Sequence, residues 1–387
     1  HGFYGSACSK PAELDTRWIH SVPMSNPRHL TRPVTAPDFL LSRASGSVRT
    51  QGAQQTFADT PAAVAALRSG SIEMVVGALP FDKDAEVALT VPEVITREPG
   101  VLRPHPFYRE GPGAALSATL TGVDPAPSEH LHRVEAAVAT IRESDLEKVV
   151  LARAVDIAFD PPVDPRLVAA RLIDLSASGD GFIADLSPAG HHGHFLVGSS
   201  PEVLIQRKGR TVHSYPLAGS AARVTGDQQA DNEAGQMLQQ SNKDLTEHAF
   251  VVEQIRAALE PLCTTLDIPD RPVLERTNEM WHLATPITGV LKEPAPTALE
   301  LAWQLYPTPA VCGTPTDAAK ALITTAESDR GFYAGAVGYT EANGDGEYVV
   351  AIRCAEVNAT GTAARAWAGG GLVADSDPQA ELDETSA

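Results

Sequence analysis

Short apolar runs separated by turn residues dominate the second half of the chain, and helical spacing interrupts them in two places. Apolar residues recur every three or four positions from Leu131 to Ile141, which predicts a helix over residues 128–144 with Ser128 as its N-cap. A second helix is predicted to begin after Ser241, because the following apolar residues have the same spacing: Leu245, Ala249, Val252, Ile255 and Leu259.

The remaining apolar runs predict β-strands. They span residues 148–159, 181–186, 194–209, 211–219, 279–291, 331–340, 347–357 and 364–373. The turn sequence EANGDGE (341–347) separates two of these runs, as in an antiparallel hairpin. No internal repeat is visible, and no G-x-G-x-x-G follows a strand. The pattern predicts an α+β fold: one large domain whose core is mainly antiparallel β-sheet, with helices packed outside.

The first part of the chain has a different composition. Residues 1–125 are rich in proline and glycine and contain short apolar runs such as IEMVVGALPF (72–81). The segment REGPGAALSATLTGVDPAPSEH (109–130) predicts a loop or linker. We therefore divide the chain at residue 125, into an N-terminal part of the fold with strands and Pro/Gly-rich loops and a C-terminal region over 126–387.

Composition excludes several classes of partner. The 387 residues carry a net charge of −19 and no block of lysine and arginine, which argues against binding to nucleic acid or an anionic membrane surface. The four cysteines, Cys8, Cys263, Cys312 and Cys354, are scattered, as expected for free thiols. No apolar run is long enough to span a membrane, and no signal-peptide pattern is visible, so we expect a soluble cytoplasmic protein. The start at His1 rather than Met suggests a trimmed chain.

Two pairs of acidic residues are the first candidates for chemistry. Asp244 and Glu247 stand three residues apart in the helix after Ser241, and Glu381 and Glu384 repeat that spacing in a C-terminal helix capped by Ser376 or Asp377. Helix capping or a solvated acidic face would explain each pair alone. If the fold brings the pairs together, four carboxylates repel unless a cation such as Mg²⁺ lies between them.

A series of motifs then occurs in a recognisable order. They are EKVVLAR (147–153), GSSPEVL (198–204), YPLAGSAAR (215–223), SNKDLTEH (241–248), HLATPITG (282–289), YPTPAVCGTP (306–315), RGFYAGAVGY (330–339), AIRCAEV (351–357) and GGGLVADSDPQAELDET (369–385). Together with VGALPFD (76–82), they resemble the chorismate-utilising enzymes, most closely the isochorismate synthase branch. The resemblance covers roughly residues 70–387, and the first 40 residues match nothing. It identifies residues 126–387 as the chorismate-binding catalytic region.

The resemblance implies a Mg²⁺-dependent isomerase whose substrate is chorismate. Lys148 matches the general base that activates water for attack at C2, and it must lose its proton readily, which requires burial or a neighbouring cation. Glu202 matches the general acid that protonates the departing C4 hydroxyl, and it requires a raised pKa. Glu247 and Glu384 match direct Mg²⁺ ligands. Asp244 and Glu381 match positions that reach the ion through water.

The same resemblance implies the residues that contact substrate. Arg353 matches an arginine that binds a substrate carboxylate. The other matched positions are Ala218, Gly219, Ser220, His282, Ala310, Val311, Tyr333, Gly369 and Gly371. Among them, the glycines would let backbone N–H groups approach the substrate carboxylates. Taken alone, a strand tyrosine or histidine is more often part of the core, and Arg353 would suit a buried salt bridge.

Two positions separate the reactions within the family. Ala218 stands where the aminodeoxychorismate synthases carry a nucleophilic lysine, which leaves room for water or ammonia. Ala310 and Val311 stand where salicylate-forming enzymes tend to be polar, which favours an enzyme that stops at isochorismate. Salicylate synthase, an ammonia-using anthranilate-synthase-like subunit and a non-catalytic chorismate- or cation-binding protein remain alternatives.

The sequence leaves the metabolic role open. Siderophore, menaquinone and salicylate routes all begin with isochorismate, and no motif distinguishes them. A monomer is the simplest expectation, because no glutaminase partner is required. The family pattern would place a lysine directly after Ala387, so we expect the natural chain to continue beyond that residue.

Overall fold

A computed structural model describes residues 31–386 of the chain; Cys8 and the rest of the first 30 residues lie outside the described part. Its strands are β1 (Phe39–Ser42), β2 (Ser47–Gln51), β3 (Gln55–Phe57), β4 (Met74–Leu79), β5 (Ala88–Val91), β6 (Val94–Glu98), β7 (Ala118–Asp124), β8 (Lys148–Phe159), β9 (Gly181–Asp185), β10 (Phe195–Gly198), β11 (Val203–Lys208), β12 (Thr211–Tyr215), β13 (Leu217–Ala222), β14 (Cys263–Asp267), β15 (Val273–Arg276), β16 (Met280–Ala284), β17 (Ile287–Leu291), β18 (Gly313–Thr314), β19 (Ala336–Glu341), β20 (Gly346–Val350), β21 (Cys354–Val357) and β22 (Ala363–Leu372). Its helices are α1 (Thr60–Arg68), α2 (Pro127–Glu143), α3 (Pro165–Leu175), α4 (Gln228–Gln240), α5 (Asn242–Leu259), α6 (Ala298–Leu305), α7 (Thr316–Ala326) and α8 (Pro378–Glu384).

Antiparallel pairing joins these strands into two large sheets and one small one. The ten-stranded sheet has the order β18-β8-β22-β21-β10-β9-β1-β2-β6, with β7 also paired to β8. The nine-stranded sheet has the order β14-β17-β12-β11-β20-β19-β4-β5-β3, and β13-β16-β15 form the third sheet. Strands from before residue 125 pair with later strands in both large sheets, β1 with β9 and β4 with β19. The predicted α+β single domain with an antiparallel core is confirmed.

Alternation along the strands determines what each sheet face covers. In β9, Phe182 and Ala184 point into the main core, which also holds Leu79 and Val337 of the nine-stranded sheet. Ile183, between them, belongs instead to a second cluster that includes Leu167 of α3. Successive side chains of a strand point to opposite faces, so one face of the sheet packs on the other sheet and the opposite face packs on a helix.

Two local predictions were wrong, and each has a physical reason. The segment predicted as a loop or linker contains β7, an edge strand whose side chains are mostly exposed, so it lacks the apolar alternation that signals a strand.

Helix α2 begins at Pro127 after Ala126, and Ser128 makes no capping hydrogen bond, so the predicted N-cap was wrong. Proline at the first helical position is favourable because its fixed φ suits the helix and its missing N–H would be unpaired there anyway.

The N-caps of the two acidic helices are as expected. The Ser241 hydroxyl accepts a hydrogen bond from the backbone N–H of Asp244, at the start of α5. The Asp377 carboxylate accepts one from the backbone N–H of Ala380, at the start of α8. Each cap satisfies a backbone donor that the first helical turn leaves free.

Two other sequence expectations concern thiols and membrane spans. Cys263, Cys312 and Cys354 are free and buried, as predicted for the described cysteines. No helix within residues 31–386 has the length and apolar character needed to cross a membrane.

A buried ion pair, Arg330 with Glu327, connects structural elements that surround the candidate site. The Arg330 guanidinium donates from Nη1 to the Val311 carbonyl at 2.7 Å and from Nη2 to the Val150 carbonyl at 2.8 Å. It also pairs with Glu327 at 2.7 Å, and Glu327 accepts a hydrogen bond from the Ala152 backbone N–H. Arg330 therefore fixes β8 relative to the turn that carries Val311.

We expect Arg330→Met to lower the free energy of unfolding by about 3–5 kcal/mol, because it leaves the Glu327 carboxylate buried without its cation. Urea denaturation measures the change. Arg256→Met is the matched control, since Arg256 forms an (i, i+3) pair with Glu253 whose side chains are 40% and 67% exposed. Loss of that exposed pair should cost at most about 1 kcal/mol. Equal losses in the two variants would contradict the role of the buried pair.

Candidate active site

A cavity of about 490 Å³ collects the residues to which the sequence assigns substrate contact. Its lining includes all of the following predicted positions: Ala218, Gly219, Ser220, His282, Ala310, Val311, Tyr333, Arg353, Gly369 and Gly371. Glu202, Glu247 and Glu384 line it as well. The wall therefore combines residues of β13, β16 and β22 with acids from α5 and α8, which are far apart in sequence.

Glu202 is a neutral acid in this wall. Its side chain is almost completely buried between β10 and β11, and its Oε1 accepts a hydrogen bond from the backbone N–H of Leu217 at 3.4 Å. Burial raises the pKa of Glu202 to about 8, although the Leu217 N–H, Lys148 and Arg353 act in the opposite direction. Glu202 thus carries a proton at neutral pH, as a general acid must.

Arg353 and His282 form a hydrogen-bonded pair in the cavity wall. Arg353 Nη2 lies 2.8 Å from His282 Nε2. Burial, followed by the charge of Arg353, lowers the pKa of His282 to about 4, so a neutral imidazole accepts the hydrogen bond. Burial also lowers the pKa of Arg353, against the opposing effects of nearby carboxylates. A guanidinium without a carboxylate salt bridge in the described residues is suited to binding an anion.

Backbone strain coincides with this cavity. Among residues 31–386, the non-glycine residues with positive φ are Arg353, at 49°, and Ala334, at 66°. Arg353 lines the cavity, and Ala334 directly follows Tyr333, which lines it too. Left-handed backbone is unfavourable for side chains with a Cβ and persists where the surrounding structure requires it, most often at functional sites.

The two acidic pairs influence one another electrostatically. Burial raises the pKa of Glu384 to about 7; its hydrogen bond to Ser220 opposes this, while the charges of Glu381 and Glu247 add to it. Burial and the charge of Glu247 likewise raise the pKa values of Asp244 and Glu381. Helices α5 and α8 therefore bring the four carboxylates close enough for mutual repulsion.

The four carboxylates do not form a closed ligand cluster. Within the described part of the chain, no three of their ligand atoms lie within 4.8 Å of one another. Lys243 Nζ is 2.6 Å from Glu381 Oε1, and Ser220 Oγ is 2.7 Å from Glu384 Oε1. The second Glu381 oxygen is buried without a hydrogen-bond partner. Repelling carboxylates with an unpaired buried oxygen fit a hard cation such as Mg²⁺, which prefers oxygen ligands.

Lys148 lies behind the cavity wall rather than in it. Its side chain is fully buried at the start of β8, and Nζ is 3.2 Å from Glu247 Oε1. The geometry of this contact is not that of a hydrogen bond, and Nζ has no other hydrogen-bond partner among the described residues. The ammonium group is close enough to Glu202 to lower the pKa of that acid. Lys148 is thus close both to Glu247, one of the paired acids, and to Glu202, the candidate general acid.

Two glycines allow the acidic helix α5 to approach the sheets. A Cβ on Gly371 would lie 2.0 Å from Glu247 Oε1, so the Glu247 carboxylate occupies the space that a side chain would need. Gly219, at φ +82°, is 3.0 Å from the Asp244 Cβ by the same measure. In addition to their predicted contact with substrate, these two glycines are therefore required for the close packing of α5.

Sequence reasoning missed several residues that shape the site. His248 is buried, with its Nδ1 3.0 Å from the Ala218 carbonyl and its Nε2 2.6 Å from the Thr285 hydroxyl. Its position beside Glu247 in SNKDLTEH was the available signal. Lys243 stands in the same motif, but its contact with Glu381 joins two helices far apart in sequence, which the motif does not indicate. Trp367 stacks on Tyr333, with ring centroids 5.5 Å apart, and no sequence pattern indicates this contact.

A larger cavity of about 690 Å³ adjoins the candidate site. The two cavities share Arg353, Pro201 and Glu279, but Arg353 is the only predicted site residue that lines the larger one. Size alone would favour the larger cavity, whereas the neutral acid and the carboxylate pairs favour the smaller one as the candidate site.

Comparison with known proteins identifies the family. The model of the family described as chorismate binding enzyme matches residues 79–387, and the chain belongs to that family. A Mycobacterium tuberculosis protein named MenF is 44% identical, over 90% of this chain and 93% of that protein. Isochorismate synthase DhbC of Bacillus subtilis is 41% identical, over 81% of this chain and 78% of that protein. The crystal structure of DhbC from Bacillus anthracis aligns with a TM-score of 0.83 at 35% identity, covering 93% of this chain and 95% of that one.

We expect Gly371→Ala to destabilise the protein by about 1–3 kcal/mol, because its new methyl group collides with the Glu247 carboxylate. Thermal unfolding measures the change. Gly370→Ala is the matched control on the same strand, because its Cβ would meet atoms no closer than 3.4 Å. A Gly371→Ala protein as stable as the Gly370→Ala protein would show that Glu247 does not need this space.

Proposed function

We propose that this chain is an isochorismate synthase that requires Mg²⁺ and interconverts chorismate and isochorismate. In that reaction a water molecule adds at C2 of the ring, the C4 hydroxyl leaves as water, and the ring double bonds shift. One hydroxyl group is gained and one is lost, so substrate and product are isomers. The step needs a base for the attacking water, an acid for the leaving hydroxyl and partners for two carboxylates.

The observation that carries this proposal is a protonated carboxylic acid in the same cavity as a buried arginine and two metal-ligand candidates. Glu202, with its pKa raised to about 8 by burial, can donate its proton to the departing hydroxyl. Arg353 can bind a substrate carboxylate through its planar set of donors. Glu247 and Glu384 lie in the same lining. The relative named isochorismate synthase supports the same reaction.

Lys148 is the base in this proposal. Its fully buried Nζ lies 3.2 Å from Glu247 Oε1 and has no hydrogen-bond partner among the described residues. The proton taken from the attacking water goes to the Lys148 amine. Glu202 gives one proton to the leaving hydroxyl, while Lys148 takes one from the attacking water. The total number of protons on the protein is therefore unchanged after one turnover.

Glu247 and Glu384 would hold the Mg²⁺ ion directly, with Asp244 and Glu381 reaching it through water. When bound, the ion would neutralise and orient the ring carboxylate of the substrate. The raised pKa values of Glu384, Asp244 and Glu381 support this assignment, because a divalent cation relieves repulsion among carboxylates.

The cavity lining favours water as the nucleophile and release of isochorismate. Ala218 offers no amine that could attack the ring, and Ala310 and Val311 form an apolar part of the wall. Gly219, Ser220 and the glycines of β22 leave backbone groups accessible to an anionic substrate. Tyr333, stacked on Trp367, would limit the position of the ring.

We expect the purified chain to convert chorismate to isochorismate when Mg²⁺ is present and to stop when EDTA removes the ion. Chromatography of the reaction mixture identifies the product, and added Mg²⁺ in excess of EDTA should restore it. Release of one pyruvate per chorismate would indicate a salicylate synthase instead. Formation of anthranilate with ammonium would indicate the ammonia-using branch, and absence of any turnover would favour a binding protein.

We expect kcat/KM to fall as the pH rises through about 8, because only the protonated form of Glu202 can donate to the leaving hydroxyl. Below that pH the acid stays protonated, and its titration does not limit the rate. Initial rates at saturating Mg²⁺ over this pH range measure the effect. Glu202→Gln keeps the size of the side chain and should lower kcat by about 10²–10⁴-fold, while chorismate binding measured by calorimetry persists. A rate that stays constant well above pH 8 would exclude Glu202 as the acid.

A further inference from the structure

A second cluster of metal-ligand side chains lies outside the candidate active site. It consists of His191, His194 and Glu356, whose ligand atoms all lie within 4.8 Å of one another. None of the three lines the catalytic cavity. Each is partly exposed, so a small cation and its water ligands can reach it from solvent.

The geometry of the cluster is convergent. His191 Nδ1 is 2.9 Å from Glu356 Oε1, and His194 Nδ1 is 2.8 Å from the same oxygen. The two imidazole rings meet edge to face, with centroids 6.0 Å apart. Both ring nitrogens therefore approach the same carboxylate oxygen, so three ligand atoms from three side chains converge at one place.

The local fold holds both histidines without help from the ion. The backbone N–H of His194 donates to the His191 carbonyl at 3.0 Å, which closes a tight turn between β9 and β10. Gly193 also donates its backbone N–H to the Ser187 hydroxyl. Glu356 lies on β21, which pairs with β10 in register Leu196 to Glu356. The turn and the strand that carry the ligands are thus fixed relative to each other by sheet hydrogen bonds.

We propose that His191, His194 and Glu356 bind a divalent transition-metal ion of the zinc, cobalt or nickel type. Two imidazoles and one carboxylate are the ligand set that such ions prefer, whereas Mg²⁺ prefers oxygen ligands alone. Three protein ligands at a partly exposed position leave the remaining coordination positions to water. The site is separate from the four carboxylates of α5 and α8 and does not depend on the proposed function.

Binding requires only a small chemical change in the ligands. With no ion, each Nδ1 faces a carboxylate oxygen and is best placed as a hydrogen-bond donor. For Nδ1 to bind an ion, the ring must carry its proton on Nε2, so that the Nδ1 lone pair faces the ion. Glu356 exchanges two hydrogen bonds for one bond to the ion, so no carboxylate is left without a partner.

The cluster also touches a segment that leads to the catalytic cavity. The His191 ring packs edge to face on Phe332, with centroids 5.6 Å apart. Phe332 is buried and directly precedes Tyr333, which lines the cavity. An ion at His191 would therefore stiffen a turn that supports one wall of that cavity.

Co²⁺ titration of the untagged full chain tests the proposal, in excess Mg²⁺ so that the acidic helices are not the site observed. We expect visible absorption bands typical of histidine-bound Co²⁺, displacement of Co²⁺ by Zn²⁺, and a higher melting temperature with Zn²⁺. His191→Ala and His194→Ala should each weaken binding at least about tenfold, and Glu356→Gln should weaken it while preserving the shape of the side chain.

His192→Ala is the matched control, because His192 lies in the same turn but outside the cluster. It should bind Co²⁺ as tightly as the unaltered chain. Melting temperatures without metal establish that each variant is folded. Absence of histidine-type Co²⁺ bands in the unaltered chain would overturn the proposal, as would equal weakening by His192→Ala and His191→Ala.

Discussion

Mutual repulsion among four carboxylates is the constraint around which the candidate site is organised. The first turns of α5 and α8 are in contact through Lys243 and Glu381, and each helix contributes an acidic pair. The fold therefore accumulates negative charge in a place where burial makes it costly. Two lysines offset part of this cost: Lys148 beside Glu247 and Lys243 beside Glu381. The Lys148 contact links β8 to α5, and the Lys243 contact links α5 to α8, so the two lysines connect the elements that carry the acidic pairs.

The antiparallel sheets supply the rigidity that this arrangement requires. Strand β22 is paired with β8 along its full length, so the backbone that faces Glu247 is fixed. Gly371 then provides the only kind of residue that lets a carboxylate lie against that backbone, since any Cβ would occupy the position of its oxygen. The buried Arg330 joins β8 to the turn carrying Val311, and both Val150 of β8 and Val311 line the cavity. The position of the Glu247 charge thus depends on its close packing against Gly371, and that packing depends on the pairing of β22 with β8.

Much of this could be predicted from the sequence, and the failures have identifiable causes. Periodicity located β8 with its observed bounds, and capping residues located the starts of α5 and α8. Strand β7 was not predicted, because an exposed edge strand has no apolar alternation. The position of Lys148 behind the wall, and its contact with Glu247, depend on the meeting of two elements about 100 residues apart, which local patterns do not encode. The ion pair of Lys243 with Glu381 was not predicted either, because it also joins two elements far apart in sequence.

Burial raises the pKa of both Glu202 and Glu384, yet the neighbours of each give it a different chemical capacity. The charges near Glu202 are the cations Lys148 and Arg353, which oppose the shift, so its proton is retained because of desolvation alone. Around Glu384 the carboxylates of Glu381 and Glu247 add to the shift. A divalent cation held by Glu247 and Glu384 would remove the repulsion that these carboxylates add to the pKa of Glu384. The two buried acids of one cavity therefore have raised pKa values for different reasons: desolvation for Glu202, and desolvation together with carboxylate repulsion for Glu384.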